Sequence, residues 1–186
     1  ALPILLNNIG YDYDNLLQFA LGDVQLNYVL YTAGTWIAVG SKGSVLTRSE
    51  SGVWSESQAA VLGDLLGIAY NPDGTYIVVG TEGLVSRSTD FVTWTRVAVG
   101  VNVTFRSIDY YDGTFVIVGD AGTIIYSTDD GLTWGINNST TSRNLKSVRY
   151  INNTWIAVGE KGVVLSRSEE HTSELQSHLN LVCRLL

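Results

Sequence analysis

A ten-residue stretch is repeated four times along this chain of 186 residues, and this repetition constrains the fold more than any other feature. The four copies read GTWIAVGSKG, GTYIVVGTEG, GTFVIVGDAG and NTWIAVGEKG, and each contains a VGxxG segment. The first glycine of VGxxG is Gly40, Gly80, Gly119 or Gly159, so the copies follow one another at intervals of 40, 39 and 40 residues. A fixed period of this length predicts a repeat architecture in which each unit packs on its neighbours.

Each repeat has the pattern of four short strands. A segment of the form L-x-x-I-x-Y comes first, and its Ile and Tyr positions alternate as on one face of a strand. A turn rich in Gly and Asn follows, and then an apolar run that indicates a strand buried on both faces. A third strand follows VGxxG, and a turn ending in Trp54, Trp94 or Trp134 leads to a fourth strand. Four strands in about 40 residues are typical of a β-propeller blade.

We therefore predict an all-β fold, a β-propeller fragment of about four four-stranded blades, three complete and one truncated, that forms an open arc. A single blade cannot fold alone, because ordering about 40 residues costs on the order of 60 kcal/mol and one buried aromatic side chain returns only about 5 kcal/mol. A β-solenoid and a β-sandwich are the alternatives. The predicted segments are 1–25 outside the clear repeat and blades at 26–64, 65–104, 105–144 and 145–166.

The last twenty residues depart from the repeat. Residues 167–186 read RSEEHTSELQSHLNLVCRLL, which looks like a short-read sequencing adapter translated in frame. We predict that this segment is a non-native tail, with a junction within two residues of its start, because Arg167 and Ser168 also fit the repeat. A genuine amphipathic helix is the alternative, since Leu175, Leu179 and Val182 have helical spacing.

Removal of this tail leaves a body without histidine or cysteine, because His171, His178 and Cys183 all lie in the tail. We therefore predict no metal site, no cofactor and no enzyme active site based on histidine or a thiol. The net charge of −7 argues against a sequence-independent nucleic-acid binder, which needs a basic surface. No apolar run approaches the roughly 18 residues of a membrane span.

The third Trp-ended turn carries the most specific motif. Residues 127–134 match S-x-D-x-G-x-T-W, the Asp-box or bacterial neuraminidase repeat, whereas the second copy keeps Ser88 and Asp90 but lacks the glycine. Together with L-x-x-I-x-Y and VGxxG, this motif makes residues 26–166 similar to Asp-box propellers. The combination most resembles the photosystem II stability/assembly-factor type and similar propellers of bacteria and tailed phages. This resemblance implies a non-catalytic binding or assembly scaffold for a protein or a glycan.

A sialidase-like glycan hydrolase is the alternative function, because sialidases share the Asp-box. Its catalytic residues would then lie in blades that this chain lacks. Residues 105–108 (FRSI) only faintly resemble the sialidase F/Y-R-I-P element and lack its proline. No Tyr/Glu nucleophile pair can be assigned, so we predict that the chain is not an enzyme.

The topology of an up-and-down blade predicts where a partner binds. The VGxxG turns and the blade-to-blade linkers leave the sheets on the same face, and these loops vary while the frame repeats, as expected of loops that carry function. An ordinary solvated rim is the alternative interpretation. An arc would also have apolar end faces, so we expect self-association through open blade edges. The candidate binding residues are Lys42, Glu82, Arg106, Asp120, Lys146 and Lys161.

Overall fold

The computed structural model describes residues 24–49, 52, 54–58, 63–137 and 139–168. These residues form four antiparallel sheets, here called blades 1 to 4, and in each sheet the strands lie side by side in sequence order. Three sheets have four strands and the fourth has three. The prediction of an all-β fold built from about four blades is confirmed.

The strands have the following bounds. Blade 1 contains β1 (Leu26–Thr32), β2 (Thr35–Gly40), β3 (Ser44–Ser49) and β4 (Ser55–Gln58). Blade 2 contains β5 (Leu65–Tyr70), β6 (Tyr76–Gly80), β7 (Val85–Ser88) and β8 (Thr95–Arg96). Blade 3 contains β9 (Phe105–Tyr111), β10 (Thr114–Gly119), β11 (Ile124–Ser127) and β12 (Gly135–Asn137). Blade 4 contains β13 (Leu145–Ile151), β14 (Thr154–Gly159) and β15 (Val164–Ser168).

The core lies between consecutive blades rather than inside any one of them. Alternate residues of β10 show why, since Phe115 and Ile117 pack in a cluster with blade 2, whereas Val116 and Val118 pack in a cluster with blade 4. A similar apolar cluster joins blades 1 and 2. The second strand of an internal blade is therefore buried on both faces, as its continuous apolar sequence predicts.

The first strand of each blade lies innermost, because β1 contacts β5, β5 contacts β9, and β9 contacts β13. Polar side chains join these strands along the axis. Ser107 Oγ accepts the N–H of Val148 at 3.3 Å, and Asp109 Oδ2 accepts the N–H of Tyr150 at 2.8 Å. These bonds join the first strand of blade 4 to the first strand of blade 3.

The first glycine of VGxxG is required by a close approach of the main chain. A Cβ atom at Gly80 would lie 1.9 Å from the carbonyl oxygen of Asp64, the residue before β5. This carbonyl accepts the N–H of Thr81 at 3.0 Å, so the turn is tied to the start of its own blade. At the three equivalent glycines, Gly40, Gly119 and Gly159, a Cβ atom would lie 2.2–2.4 Å from the carbonyl oxygens of Gln25, Thr104 and Asn144. The glycine is therefore repeated in the sequence because each blade repeats the same close approach between this turn and the residue before its first strand.

The Trp-ended turn of blade 3 is closed by its own side chains. Ser127 Oγ accepts the N–H of Gly131 at 2.9 Å and donates to Asp129 Oδ1 at 2.8 Å. Asp129 also accepts the N–H of Thr133 at 2.9 Å and the hydroxyl of Thr133 at 2.6 Å. Trp134 Nε1 donates to the carbonyl of Gly131 at 3.2 Å. The residues of the motif thus hold one another within a turn and present no open site.

The corresponding turn of blade 2 keeps this arrangement without a glycine. Asp90 Oδ1 accepts the N–H groups of Val92 and Thr93 at 2.8 and 2.7 Å, and Trp94 Nε1 donates to the carbonyl of Phe91 at 3.2 Å. Phe91 takes the left-handed conformation, with φ of 61°. This conformation costs a non-glycine residue about 1–2 kcal/mol. The contact of its ring with Tyr76, at a centroid distance of 3.9 Å, offsets part of that cost.

We expect Asp129→Asn to lower the free energy of unfolding at neutral pH by about 1 kcal/mol, because it weakens hydrogen bonds within the turn. The hydrogen bonds from Thr133 hold the pKa of Asp129 below its ordinary value of 3.8. This carboxylate therefore stabilises the fold above that value, and the stabilisation is lost as the pH falls through the folded pKa. Urea unfolding at several pH values should show a smaller acid loss in the variant. Asp73→Asn, in the hairpin turn after β5, is the control and should change stability by less than about 0.5 kcal/mol.

The chain ends are described only in part. β15 continues through Arg167 and Ser168, which pair with Trp155 and Thr154. Its last two residues thus occupy the same register as Arg48 and Ser49 in blade 1. The predicted tail beyond Ser168, with its histidines, its cysteine and the alternative helix, lies outside the described residues, as do residues 1–23. The assignment of the tail stays a prediction.

Candidate binding surface

The VGxxG turns and the linkers between blades are hydrogen-bonded to one another. The N–H of Gly43 donates to the carbonyl of Gly63 at 2.7 Å, and the N–H of Gly83 donates to the carbonyl of Val103 at 2.8 Å. These contacts place both kinds of loop at the same end of the sheets. We call this surface the turn face; it consists of the turns 41–43, 81–83, 120–122 and 160–162 with the linkers bonded to them.

The four turns have the same backbone conformation and different side chains. The middle residues, Lys42, Glu82, Ala121 and Lys161, have φ of 58°, 55°, 54° and 56°. All four are exposed. Such a left-handed residue is uncommon outside glycine, and its recurrence shows that the surrounding contacts fix the turn. The frame therefore presents two lysines, one glutamate and one alanine at equivalent places.

Two ion pairs lie at equivalent places in blades 3 and 4. The guanidinium of Arg106 contacts both carboxylate oxygens of Asp120, with Nη2 at 3.0 Å from Oδ2. The ammonium of Lys146 lies 2.7 Å from Glu160 Oε1. Arg106 and Lys146 are each the second residue of a first strand, and each acid directly follows the first glycine of VGxxG. The repeat therefore brings four charges of alternating sign into two adjacent pairs.

Hydrogen bonding keeps Glu160 ionised. Lys146 donates to this carboxylate and lowers its pKa from the ordinary value of 4.5, and a further hydrogen bond from Asn144 and the charge of Arg106 act in the same direction. Asn144 Oδ1 also accepts the N–H of Ala121 at 2.9 Å, which connects the turn of blade 3 to the linker before blade 4. The two pairs and this amide thus form one charged network on the turn face.

The six predicted binding residues do not form one cluster in the structure. Arg106 and Asp120 are brought together, whereas Lys146 pairs with Glu160, which was not among the predicted binding residues. Lys42, Glu82 and Lys161 lie at separate turn tips, and neither lysine forms an ion pair with any described residue. One signal could have identified the second pair: Glu160 follows Lys146 by the same 14 residues that separate Asp120 from Arg106.

Asn144 is a further residue of the network that was missed, because a linker asparagine has no distinguishing motif. Its side-chain nitrogen donates a hydrogen bond to Glu160 at 3.2 Å, and its side-chain oxygen accepts the N–H of Ala121.

Of the described residues, no three His, Cys, Asp or Glu side chains lie close enough together to hold a metal ion. Within the same part of the chain, no helix has the length and apolar character needed to cross a membrane.

Comparison with known proteins identifies the architecture. No protein-family model matches the chain, and neither does any curated protein. Among solved structures, YCF48 bound to D1 peptide matches with a TM-score of 0.64 and 14% identity, over 80% of this chain and 51% of that one. The fold is a β-propeller. YCF48 from Cyanidioschyzon merolae matches with a TM-score of 0.61 and 18% identity, over 77% of this chain and 53% of that one.

A designed protein of similar size gives a third match. The computationally designed Ika4 protein matches with a TM-score of 0.64 and 11% identity, over 79% of this chain and 92% of the designed chain. By contrast, this chain spans about half the length of the two YCF48 structures. At these identities the likeness extends to the fold alone, so the function of the turn face has to be argued from its own residues.

Proposed function

We propose that this chain is a non-catalytic scaffold whose turn face binds a segment of another protein. One observation carries the proposal: four turns of nearly identical backbone conformation present different side chains, Lys42, Glu82, Ala121 and Lys161, on one rigid frame. Variable side chains on a fixed framework are the usual basis of recognition by loops. A protein of the same fold, YCF48, has been solved with a D1 peptide bound, which supports a peptide as the type of ligand.

The charges of the turn face suit a peptide that carries both signs. Arg106 has five N–H donors, and Asp120 engages only some of them. Lys146 is bound to Glu160 by one ammonium contact and is partly exposed. Donors and acceptors therefore alternate along the network, and the charged groups of a bound peptide can form ion pairs with them. A glycan would use fewer of these charges.

The described carboxyl groups support a role without catalysis. A general acid at neutral pH needs a pKa raised by burial or by a nearby negative charge. The carboxyls with a shifted pKa in the described part of the chain, Asp90, Asp129 and Glu160, are all shifted downward by hydrogen bonds. A fluorogenic sialoside assay on the longer native protein separates the sialidase alternative from the scaffold.

The proposal is tested by measuring peptide affinity after charge reversals that either break the Arg106–Asp120 ion pair or keep it with the two charges exchanged. We expect Arg106→Asp to weaken peptide binding by about tenfold, because it places two carboxylates side by side on the turn face. The double variant Arg106→Asp/Asp120→Arg keeps an ion pair with reversed direction, so it should recover stability but not affinity. Fluorescence anisotropy with a labelled D1 peptide, and with peptides selected by the full chain from a random library, measures the dissociation constants.

The matched control is Asp73→Lys, a charge reversal in the hairpin turn at the opposite end of β6. It should leave peptide affinity unchanged within about twofold, because the turn lies away from the turn face. The proposal fails if Asp73→Lys weakens binding as much as Arg106→Asp, or if the chain selects no peptide above background.

A further inference from the structure

A groove lies between blades 2 and 3, at the end of the sheets opposite the turn face. In blade 2, Tyr70 pairs with Tyr76 at this end of β5, whereas Leu65 pairs with Gly80 beside the VGxxG turn. The groove has a volume of about 490 Å³ and is lined by the ends of two first strands and by the turns that follow them. We call it the tyrosine groove; its lining residues are Tyr70, Pro72, Tyr110, Tyr111 and Asp112. Blades 2 and 3 each have a described blade on both sides, so the groove belongs to the middle of the series.

Aromatic neighbours hold the three tyrosine rings of the groove in place. The ring centroids are 5.8, 4.7 and 3.6 Å apart in the pairs Tyr70–Tyr76, Tyr110–Phe115 and Tyr111–Tyr150. Tyr150 covers one face of the Tyr111 ring, and Tyr111 is still 41% exposed. Such rings are amphipathic and lose little conformational entropy when a ligand binds. The groove therefore presents large, fixed aromatic surfaces to solvent.

The polar groups of the groove are available to a ligand. Within the described part of the chain, the hydroxyls of Tyr70 and Tyr111 form no hydrogen bond, and the carboxylate of Asp112 forms no ion pair. No described lysine or arginine lines the groove. Two hydroxyl donors and one unpaired negative charge thus lie beside the aromatic surfaces. A ligand that suits them has free carbonyl oxygens, an apolar surface and a positive charge.

A proline-rich segment has these properties in one short stretch. Its polyproline II conformation has about three residues per turn and no internal hydrogen bonds, so its carbonyl oxygens are open to hydroxyl donors. Segments of this kind dock in aromatic-lined grooves, and the preformed conformation lowers the entropy lost on binding. An amphipathic helix would need a long apolar groove instead, because its contacts recur over several turns. The carboxylate of Asp112 selects a segment that carries lysine or arginine beside its prolines.

We propose that the tyrosine groove binds a proline-rich segment of a partner protein, with a lysine or arginine of that segment on Asp112. The prolines lie against the rings of Tyr70, Tyr110 and Tyr111, and the hydroxyls of Tyr70 and Tyr111 donate to carbonyl oxygens of the segment. The site lies at the other end of the sheets from the turn face. It is therefore a second binding surface, and neither surface depends on what the other binds.

Two matched peptide libraries test the class of ligand. The first has a fixed Pro-x-x-Pro core with random flanking residues, and in the second alanine replaces both prolines. Binding of the labelled full chain should select members of the first library, enriched in lysine or arginine on one flank, and fluorescence anisotropy should give their dissociation constants. The alanine counterparts of the selected peptides should bind about tenfold or more weakly. Equal affinity of the two series, or selection of no peptide above background, would overturn the proposal.

Removal of one aromatic wall tests the position of the site. We expect Tyr111→Ala to weaken binding of a selected proline-rich peptide by about tenfold or more, because it deletes an exposed ring of the groove. Tyr31→Ala is the matched control: Tyr31 also lies near the end of a first strand, is 46% exposed and packs on Trp36, but it lies outside the groove. It should change the affinity by less than about twofold. Equal losses would overturn the assignment of the groove.

Tyr111→Phe keeps the proposal testable if the alanine variant fails to fold. It retains the ring contact with Tyr150 and removes only the hydroxyl, so it should fold and lose affinity by about threefold. Far-UV circular dichroism of each variant checks the fold. A folded Tyr111→Phe chain with unchanged affinity would overturn the hydrogen bond from this hydroxyl.

The charge of Asp112 is tested separately. Asp112→Asn should abolish the preference for a basic flank, so the affinity ratio between a selected peptide and its form with alanine for lysine or arginine should fall from about tenfold to about one. Asparagine tolerates the left-handed conformation of this position, with φ of 42°, so the turn is kept. An unchanged ratio would overturn the contact with Asp112. Arg106→Asp, on the turn face, should leave this affinity unchanged within about twofold. A tenfold loss in that variant would show that the peptide binds the turn face instead and would overturn the proposal.

Discussion

Gly122→Ala is expected to lower the free energy of unfolding by about 2–5 kcal/mol, whereas the equivalent Gly162→Ala should cost only about 1–2 kcal/mol. Both glycines end a VGxxG segment, and their φ values are 71° and 76°, so the left-handed conformation penalises alanine equally at both positions. The surroundings differ. A Cβ atom at Gly122 would lie 1.9 Å from the carbonyl oxygen of Thr141, whereas one at Gly162 would have no atom of the described residues within 4 Å.

The pair therefore separates the conformational strain of an alanine from its collision with the linker. At Gly122 the main chain of the linker between blades 3 and 4 has to move, and a backbone cannot rotate away as a flexible side chain can. Urea unfolding of both variants, followed by tryptophan fluorescence, measures the two losses. Equal losses for Gly122→Ala and Gly162→Ala would show that the linker does not pack against the turn.

The features that the sequence predicts well depend on contacts that every blade repeats. The spacing of Gly40, Gly80, Gly119 and Gly159 predicts the period because each blade needs the same close approach between a turn and the start of its first strand. The unbroken apolar runs predict doubly buried strands because each internal blade has two neighbours. The fold class follows from these two signals, since local sequence and packing agree at each repeat.

Features that occur once, or that join distant segments, could not be predicted in this way. Phe91 takes the left-handed conformation normally left to glycine, and contacts from distant residues help to hold it: its ring packs on Tyr76, and its carbonyl accepts the hydroxyl of Ser57 at 2.8 Å. Arg149 Nη2 donates to the hydroxyl of Tyr28 at 2.5 Å, so blades 1 and 4 meet across 121 residues of sequence. No periodic pattern specifies such a contact, because it depends on how far the whole series of blades curves.

The candidate site falls between these two cases. Its backbone frame is repeated and was therefore predictable, including the exposed middle residues Lys42, Glu82 and Lys161. Its charge network was predictable only in part, because it depends on which residue of a loop reaches which strand. Arg106 and Asp120 were both among the candidates. Their ion pair, and the contact of Lys146 with Glu160, can be identified only once the structure places the first strand beside the VGxxG turn.

A large-to-small substitution in the apolar interface between two blades should lower the free energy of unfolding by a similar amount. Ile117→Ala is expected to lower the free energy of unfolding by about 2–5 kcal/mol, because Ile117 is fully buried in the cluster between blades 2 and 3 and its removal leaves a cavity. Neither blade has a core of its own, so the interface lost is the one that holds each blade folded. Urea unfolding measures the change, and a cooperative transition shifted to lower urea is the expected form.

The control is Ile136→Ala in the same blade, which deletes the same atoms from an exposed strand. It should cost less than about 1 kcal/mol, since Ile136 on β12 is already largely in contact with water. If blades fold independently, Ile117→Ala should melt one part of the chain and leave the rest, which would split the transition into two. A single shifted transition instead shows that the stability of each blade depends on its neighbours.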